Sequence, residues 1–230
     1  MNPMIDFELV LPDGWVVLPT TPDTERLRGR AIDAIIRRFL PATLPRDRAE
    51  PWRRELRKQL LAATDDASRN GARSVVLPLR RFNGATIPGS MIMTVLEDSD
   101  PQDPEQLLAS ILSDAGPDGT YLEVGGAPAV RVAAIVEQAS SLYGRKVSGQ
   151  RVSYYLSHPD KPGVWGLLTF TVMAVVDGDV QAPETQAVVV LFDAIVSTLR
   201  WAERTSVPTE DEVLATLASD LAAGRIEETV

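Results

Sequence analysis

The stretch VWGLLTFTVMAVV, residues 164–176, decides the fold of this chain, read together with PETQAVVVLFDAIVSTLRW, residues 183–201. In the first stretch Val164, Gly166, Leu168, Phe170 and Val172 fall on one face of an extended backbone. The other face, with Trp165, Leu167, Thr169, Thr171 and Met173, is also largely apolar. A strand apolar on both faces belongs in the middle of a sheet, with cover on each side. The second stretch holds three valines in a row, which favours a strand over a few residues. Its length and the spacing of Ala187, Val190, Leu191, Ala194, Ile195 and Thr198 predict a helix instead. Val188, Phe192, Val196 and Leu199 widen its apolar surface, so this helix is expected to lie deep against the sheet.

Upstream of these stretches the chain reads as more sheet. Residues 151–157 alternate, with Val152, Tyr154 and Leu156 on one side, as a half-buried strand does. Residues 120–124 and 129–137 read as two strands joined through Gly125-Gly126. Residues 74–82 and 87–97 read as two more, around an Asn83-Gly84 hairpin turn. Pro78 cannot donate to a ladder, which puts the first of these at an edge or at a bulge. Residues 140–150 are polar and read as a loop, with Arg145 and Lys146 at its tip. Near the start, Phe7, Leu9 and Leu11 begin a strand, Pro12-Asp13-Gly14 turns it, and Trp15–Leu18 resumes. A hairpin and a kinked first strand both fit.

Helices fill the remainder. Residues 21–40 carry Ile32, Ile35, Ile36 and Phe39 on one side, with Pro22 suited to a first turn. Residues 47–68 carry Trp52, Leu56, Leu60 and Ala63 at helical spacing, which predicts a buried stripe. Asn70-Gly71 closes that helix, since glycine accepts the left-handed cap. A short helix over 104–115 turns Leu107, Leu108, Ile111 and Leu112 inward, and a last amphipathic helix covers 206–221. Residues 1–205 are therefore expected to form a single α+β domain, with 206–230 as a C-terminal helical extension.

Charge is uneven. The whole chain carries a net −9, yet residues 23–60 hold 11 Lys/Arg against 6 Asp/Glu. An acidic body repels phosphate, so general nucleic-acid binding is disfavoured, while a local contact with an acidic protein surface fits. Arg53, Arg54, Arg57 and Lys58 lie off the expected apolar stripe of the second helix and are the candidate partner-binding residues. A solvated helix face is the plainer account of the same four side chains.

Catalytic signatures do not accumulate. There is no cysteine, which excludes disulfides, thiolate metal sites and a cysteine nucleophile. The single histidine, His158, sits in the turn His-Pro-Asp-Lys-Pro-Gly, and no G-x-S-x-G elbow accompanies it. A histidine-based metal site has no partners. No G-x-G-x-x-G or G-x-x-x-x-G-K-[ST] loop is present. The acidic run EDSDPQDPE, residues 97–105, lacks the spacing of a calcium loop and reads as a loop that caps a helix. The 32 acids offer many carboxylate pairs, but the spacing selects none. No cofactor and no metal are expected. The 13-residue apolar run at 164–176 falls short of the roughly 18 residues a spanning helix needs. Residues 1–8 lack the pattern of a secretory signal, which makes the cytoplasm the expected compartment.

Two stretches carry a resemblance: FELVLPDGW at 7–15 and FDAIVSTLRW at 192–201. With helices after the first strand and sheet between, they resemble actinobacterial proteins similar in turn to the Mog1/PsbP-like α/β/α sandwich family. The resemblance implies a mostly antiparallel sheet flanked by helices, no catalysis, and a role in binding another protein. Some relatives of that sort are connected with specialised secretion, which would imply an accessory or chaperone role. The resemblance assigns no functional residue.

The reading that results is an α+β protein that binds another, acidic protein without catalysis. Two alternatives belong to other classes: a small-ligand-binding protein or hydrolase with a carboxylate site, and a self-assembling structural protein, since a homo-oligomer is compatible with the apolar terminal helix.

Overall fold

The structure, a computed structural model, describes residues 4–40, 45–82, 85–100, 102–140, 145–174, 179–204 and 210–223. The elements run β1 (Met4–Glu8), β2 (Trp15–Pro19), α1 (Glu25–Phe39), α2 (Arg46–Arg69), β3 (Ala72–Pro78), β4 (Arg81–Phe82), β5 (Ala85–Thr86) and β6 (Gly89–Glu97). They continue α3 (Pro104–Ala115), β7 (Gly119–Val124), β8 (Ala127–Ser140), β9 (Arg145–Ser157), β10 (Val164–Met173), α4 (Pro183–Val196), β11 (Arg200–Arg204) and α5 (Glu210–Ala223).

Seven strands form one sheet in the order β2-β3-β6-β10-β9-β8-β7. Every neighbouring pair in it is antiparallel. β10 is its middle strand, where the sequence places it. Phe170 lies abreast of Met91 on β6 and Val152 on β9, and all three are fully buried. α4 covers this face: Phe192 stacks on Phe170 at 4.6 Å and meets Tyr154 edge-on at 5.8 Å. β1 and β11 pair as a separate ribbon on the same face. Burying a large apolar side chain contributes about 1.5–3 kcal/mol, so this cluster is the main source of cohesion. On the opposite face Val16 and Leu18 pack against Ile32, Ile35 and Ile36 of α1. Leu56 and Leu60 of α2 and Leu217 of α5 join them, while α3 packs on β7 and β8. The chain is thus an α+β fold, an antiparallel sheet flanked by helices, as the sequence leads one to expect.

Several expectations change. The second face of β10 is only partly covered: Trp165, Leu167, Thr169, Thr171 and Met173 are half-buried. α1 and α2 sit over the β2–β3 end and α3 over β7–β8, which leaves a trench of about 740 Å³ across β6 and β10. β1 does not form a hairpin with β2, because its partner is β11, nearly two hundred residues on. The helix expected through residue 201 stops at Val196. The chain turns there, with the Leu199 N–H donating to the Val196 carbonyl at 3.0 Å, and then pairs with β1. That turn is what lets Leu199 and Trp201 pack on the sheet. α4 also faces the core with Thr185, Val189, Phe192, Ile195 and Val196, and Val190 is exposed.

α2 is rotated relative to the expected stripe. Trp52 is 56% exposed and Ala63 faces solvent, while Ala49, Thr64 and Ala67 are buried. Two contacts set that rotation: Ala67 packs with Val75 of β3, and Asp65 reaches the buried Arg28 of α1 at 2.6 Å. β3 is an interior strand; Pro78 is its last residue, and its bulge lies at the other end, between Ala72 and Ser74. Residues 145–150, Arg145 and Lys146 among them, belong to β9 rather than to a loop. The expected Asn83-Gly84 turn lies outside the described residues, between the short strands β4 and β5.

Candidate docking groove between the first two helices

α1 and α2 pack on one another beside β2 and β3. Their apolar sides go to the sheet, so their charged flanks meet along an outer seam. There Asp33 and Arg37 of α1 and Glu50, Arg53, Arg54 and Arg57 of α2 surround a groove of about 280 Å³. Arg57 Nε donates to Asp33 Oδ1 at 2.7 Å, across the seam. Arg53 Nη1 lies 3.9 Å from Glu50 Oε2. Arg53 Nε is buried and has no hydrogen-bond partner among the described residues. Arg37 and Arg54 are exposed and make no ion pair among the described residues. Four guanidiniums therefore face two carboxylates, and two of the four have no carboxylate partner among the described residues. Guanidinium is planar and offers paired donors, which suits it to bidentate contact with a carboxylate.

Of the four side chains singled out in the sequence, the structure brings Arg53, Arg54 and Arg57 to the groove and leaves Lys58 outside it. At about 100° per helical residue, Lys58 turns away to open solvent. Arg37 is the member that sequence reading missed. Its signal is the helical spacing of Arg30 and Arg37 on α1, which acquires meaning only when α2 folds back beside α1. Arg28 serves the fold instead. It is 4% exposed, and it ties α1 to Asp65 of α2 and to the Thr20 carbonyl.

Two other polar clusters hold the fold together. Asp193 on α4 accepts two bonds from Arg131, at 2.9 and 3.1 Å, and one from the Tyr154 hydroxyl at 2.7 Å. They pin α4 to β8 and β9. Burial, reinforced by the bond to Asp193, raises the Tyr154 phenol well above its ordinary value, so it stays a donor. His158 Nδ1 accepts from the backbone N–H of Asp160 at 3.0 Å and of Lys161 at 3.1 Å. Its ring packs on Trp201 at 4.7 Å. Burial, and then the Lys161 ammonium, push its pKa down. A histidine whose acceptor nitrogen closes its own turn is a turn residue. Among the described residues no cluster of three His, Asp or Glu could hold a metal ion, and no helix is long and apolar enough to cross a membrane.

No family model matches this sequence, and no curated protein matches it. Among solved structures the chain is similar to LpqN, involved in cell envelope biogenesis of Mycobacterium tuberculosis, at 14% identity and a TM-score of 0.43, over 87% of this chain and 85% of LpqN. It is also similar to a mutant of the protein Mog1, at 14% identity and a TM-score of 0.35, over 55% of this chain and 78% of that one. The Ran-binding protein Mog1p of Saccharomyces cerevisiae gives the same identity and TM-score, over 55% and 77% of the two chains. Mog1, raised by the sequence resemblance, is thus among the similar structures. At these scores none of them tells what this chain does.

Proposed function

We propose that this protein is a non-catalytic adaptor or accessory protein that binds an acidic protein segment in the groove between α1 and α2. The observation that supports this reading is the convergence of Arg37, Arg53, Arg54 and Arg57 from two helices on one concave site, in a chain of net charge −9. Like charges gathered against the sign of the whole molecule raise the local concentration of an oppositely charged partner and orient it on approach. A carboxylate entering the groove would meet the exposed Arg37 and Arg54 first and could satisfy the buried Arg53 Nε. Arginine is also among the residues enriched at the energetic centres of interfaces. Service in the cytoplasm beside a specialised secretion system is the finer form of this proposal.

The test compares the protein with its Arg37→Glu/Arg54→Glu variant as bait in lysate of its own source cell. These two arginines are the right choice because reversing Arg57 would also set two acids against each other at Asp33. A protein retained by the parent and lost from the variant, with circular dichroism unchanged, supports the reading. Equal recovery by both baits, or no partner on either, refutes the groove as a docking site.

A further inference from the structure

The trench over β6 and β10 lies on the sheet face that α2 and α3 border from opposite sides. Ala63 and Ala67 of α2 form one wall, and Ile92, Leu167, Thr169, Thr171 and Met173 form the floor. On β9 the same face carries Arg151, Ser153 and Tyr155, since Val152, Tyr154 and Leu156 point into the core on the other side. Ser153 stands abreast of Thr169, their hydroxyl oxygens 3.3 Å apart. α3 forms the far wall. A Cβ on Gly119 of β7 would lie 2.9 Å from Leu112, which puts Leu112 on the β7 flank of α3. Leu107 and Ile111, both half-buried, fall on the opposite flank, toward β9.

The width of the gap selects its occupant. α2 packs on β3, and α3 on β7 and β8. From β3 to β8 there are four strand spacings, about 19 Å at roughly 4.7–4.9 Å each. Packed helices stand about 8–10 Å apart, so two at this separation leave a place for one more between them. A strand does not suit the place. Backbone ladders form at the edges of a sheet, and β6, β10 and β9 are each paired on both sides. A segment laid on the face must satisfy its own backbone N–H and C=O groups, which a helix does. Charge adds a direction. Of the charged residues that line the trench, Asp66 lies 3.1 Å from Arg69. Arg151 is exposed and makes no ion pair among the described residues. It stands abreast of Thr171, toward the Met173 end of the floor.

We propose that the trench seats one amphipathic helix of a partner protein, with its apolar side on Ile92, Leu167 and Met173 and an acidic residue of its last turn at Arg151. About four turns of helix span roughly 22 Å, against roughly 26 Å along β10 from Trp165 to Met173. The negative end of the helix dipole then meets the Arg151 guanidinium together with the acid. The trench shares no residue with the groove between α1 and α2, so the two sites stand or fall separately.

The test is calorimetric titration of the full chain with three capped peptides, each of about four helical turns. The first has leucines at helical spacing and glutamates in its last turn. The second has the same composition with the leucines at alternate positions. The third is the first with lysines in place of the last-turn glutamates; lysine there favours the free helix, so a weaker complex is not lost helicity. The first peptide should bind once per chain, at least tenfold tighter than the second and severalfold tighter than the third. Thr169→Trp raises the floor and should weaken it at least tenfold, and Arg151→Glu should erase its advantage over the third peptide. Arg37→Glu/Arg54→Glu, which alters only the other groove, should leave it unchanged. In the parent protein labelled at isoleucine and methionine methyls, Ile92 and Met173 should shift most, a measurement that needs no variant to fold. Tighter binding of the alternating peptide, loss of binding in the Arg37→Glu/Arg54→Glu variant, or still Ile92 and Met173 signals would each overturn the proposal. So would no binding by any peptide, the result if the chain's own residues fill the trench. A dimer of the free protein that Thr169→Trp separates would make a second copy the occupant and overturn it as well.

Discussion

At the scale of single residues, His158 couples the fold to pH. Its Nδ1 must be unprotonated to accept from the Asp160 and Lys161 N–H groups. The fold accordingly holds its pKa below the ordinary value of about 6.5. Because the folded pKa is depressed, the unfolded chain binds the proton more readily, and stability is full above the unfolded value and is lost as pH falls through the folded one. Asp160 and Glu203 oppose the shift, while burial and Lys161 drive it. The melting temperature should therefore begin to drop below about pH 6.5, before ordinary carboxylates titrate. His158→Asn keeps a side-chain acceptor suited to such a turn and removes the titration. Its melting temperature should stay flat from about pH 7 to 5, and a parallel decline in parent and variant would show that His158 is not the cause. The turn role of His158 was legible in the sequence, because its prolines, glycine and acceptors are all local. The Asp193 network was not: Tyr154 and Arg131 stand 39 and 62 positions away from Asp193, and only the fold brings them together.

At the scale of elements, the same division appears between local pattern and long-range docking. β10 reads correctly as the middle strand because its apolar run is local, although only one of its faces is fully buried, and α1 reads correctly because its apolar side is narrow. α4 is apolar nearly all round, so periodicity finds a helix but cannot select the buried side, and the exposed Val190 is the result. In α2 the stripe containing Trp52 looks as good in sequence as the one containing Ala49, Thr64 and Ala67; the contacts of Ala67 and Asp65 decide between them. β1 looks like half of a hairpin because its turn is strong, whereas its partner β11 is distant in sequence. The docking of that ribbon depends on a notch in β10. A Cβ placed on Gly166 would lie 3.1 Å from Trp201, 3.3 Å from Leu156 and 3.4 Å from Phe7. All three neighbours are large and packed on the sheet, so none can give far. Gly166→Val should cost about 1–3 kcal/mol, the usual range for overpacking. It should appear as a lower urea midpoint with little change in slope. A variant as stable as the parent would mean that the ribbon can lift from β10 without loss.

At the scale of the whole molecule, charge and shape act together. The basic segment at residues 23–60 was visible as composition, and with it three of the four groove arginines. Arg37 was not visible as their companion, since that requires knowing that α2 lies back along α1. The remainder of the chain is strongly acidic, so an acidic partner is repelled by most of the surface and attracted at one place. That arrangement governs the approach of the partner more than the lifetime of the complex. Screening lengths are about 10 Å at 0.1 M salt and about 3 Å at 1 M. At the lower salt the four guanidiniums act on a carboxylate before contact; at the higher they do not. For the partner captured through the groove, raising salt across this range should slow association by roughly tenfold or more and change dissociation by much less. Stopped-flow mixing of the purified pair measures both rates. Arg37→Glu/Arg54→Glu should associate slowly at low salt and lose most of the salt dependence, because the attraction that salt screens has been removed. An association rate indifferent to salt in the parent protein would place the energetics of recognition elsewhere, with the trench over β6 and β10 the next surface to probe.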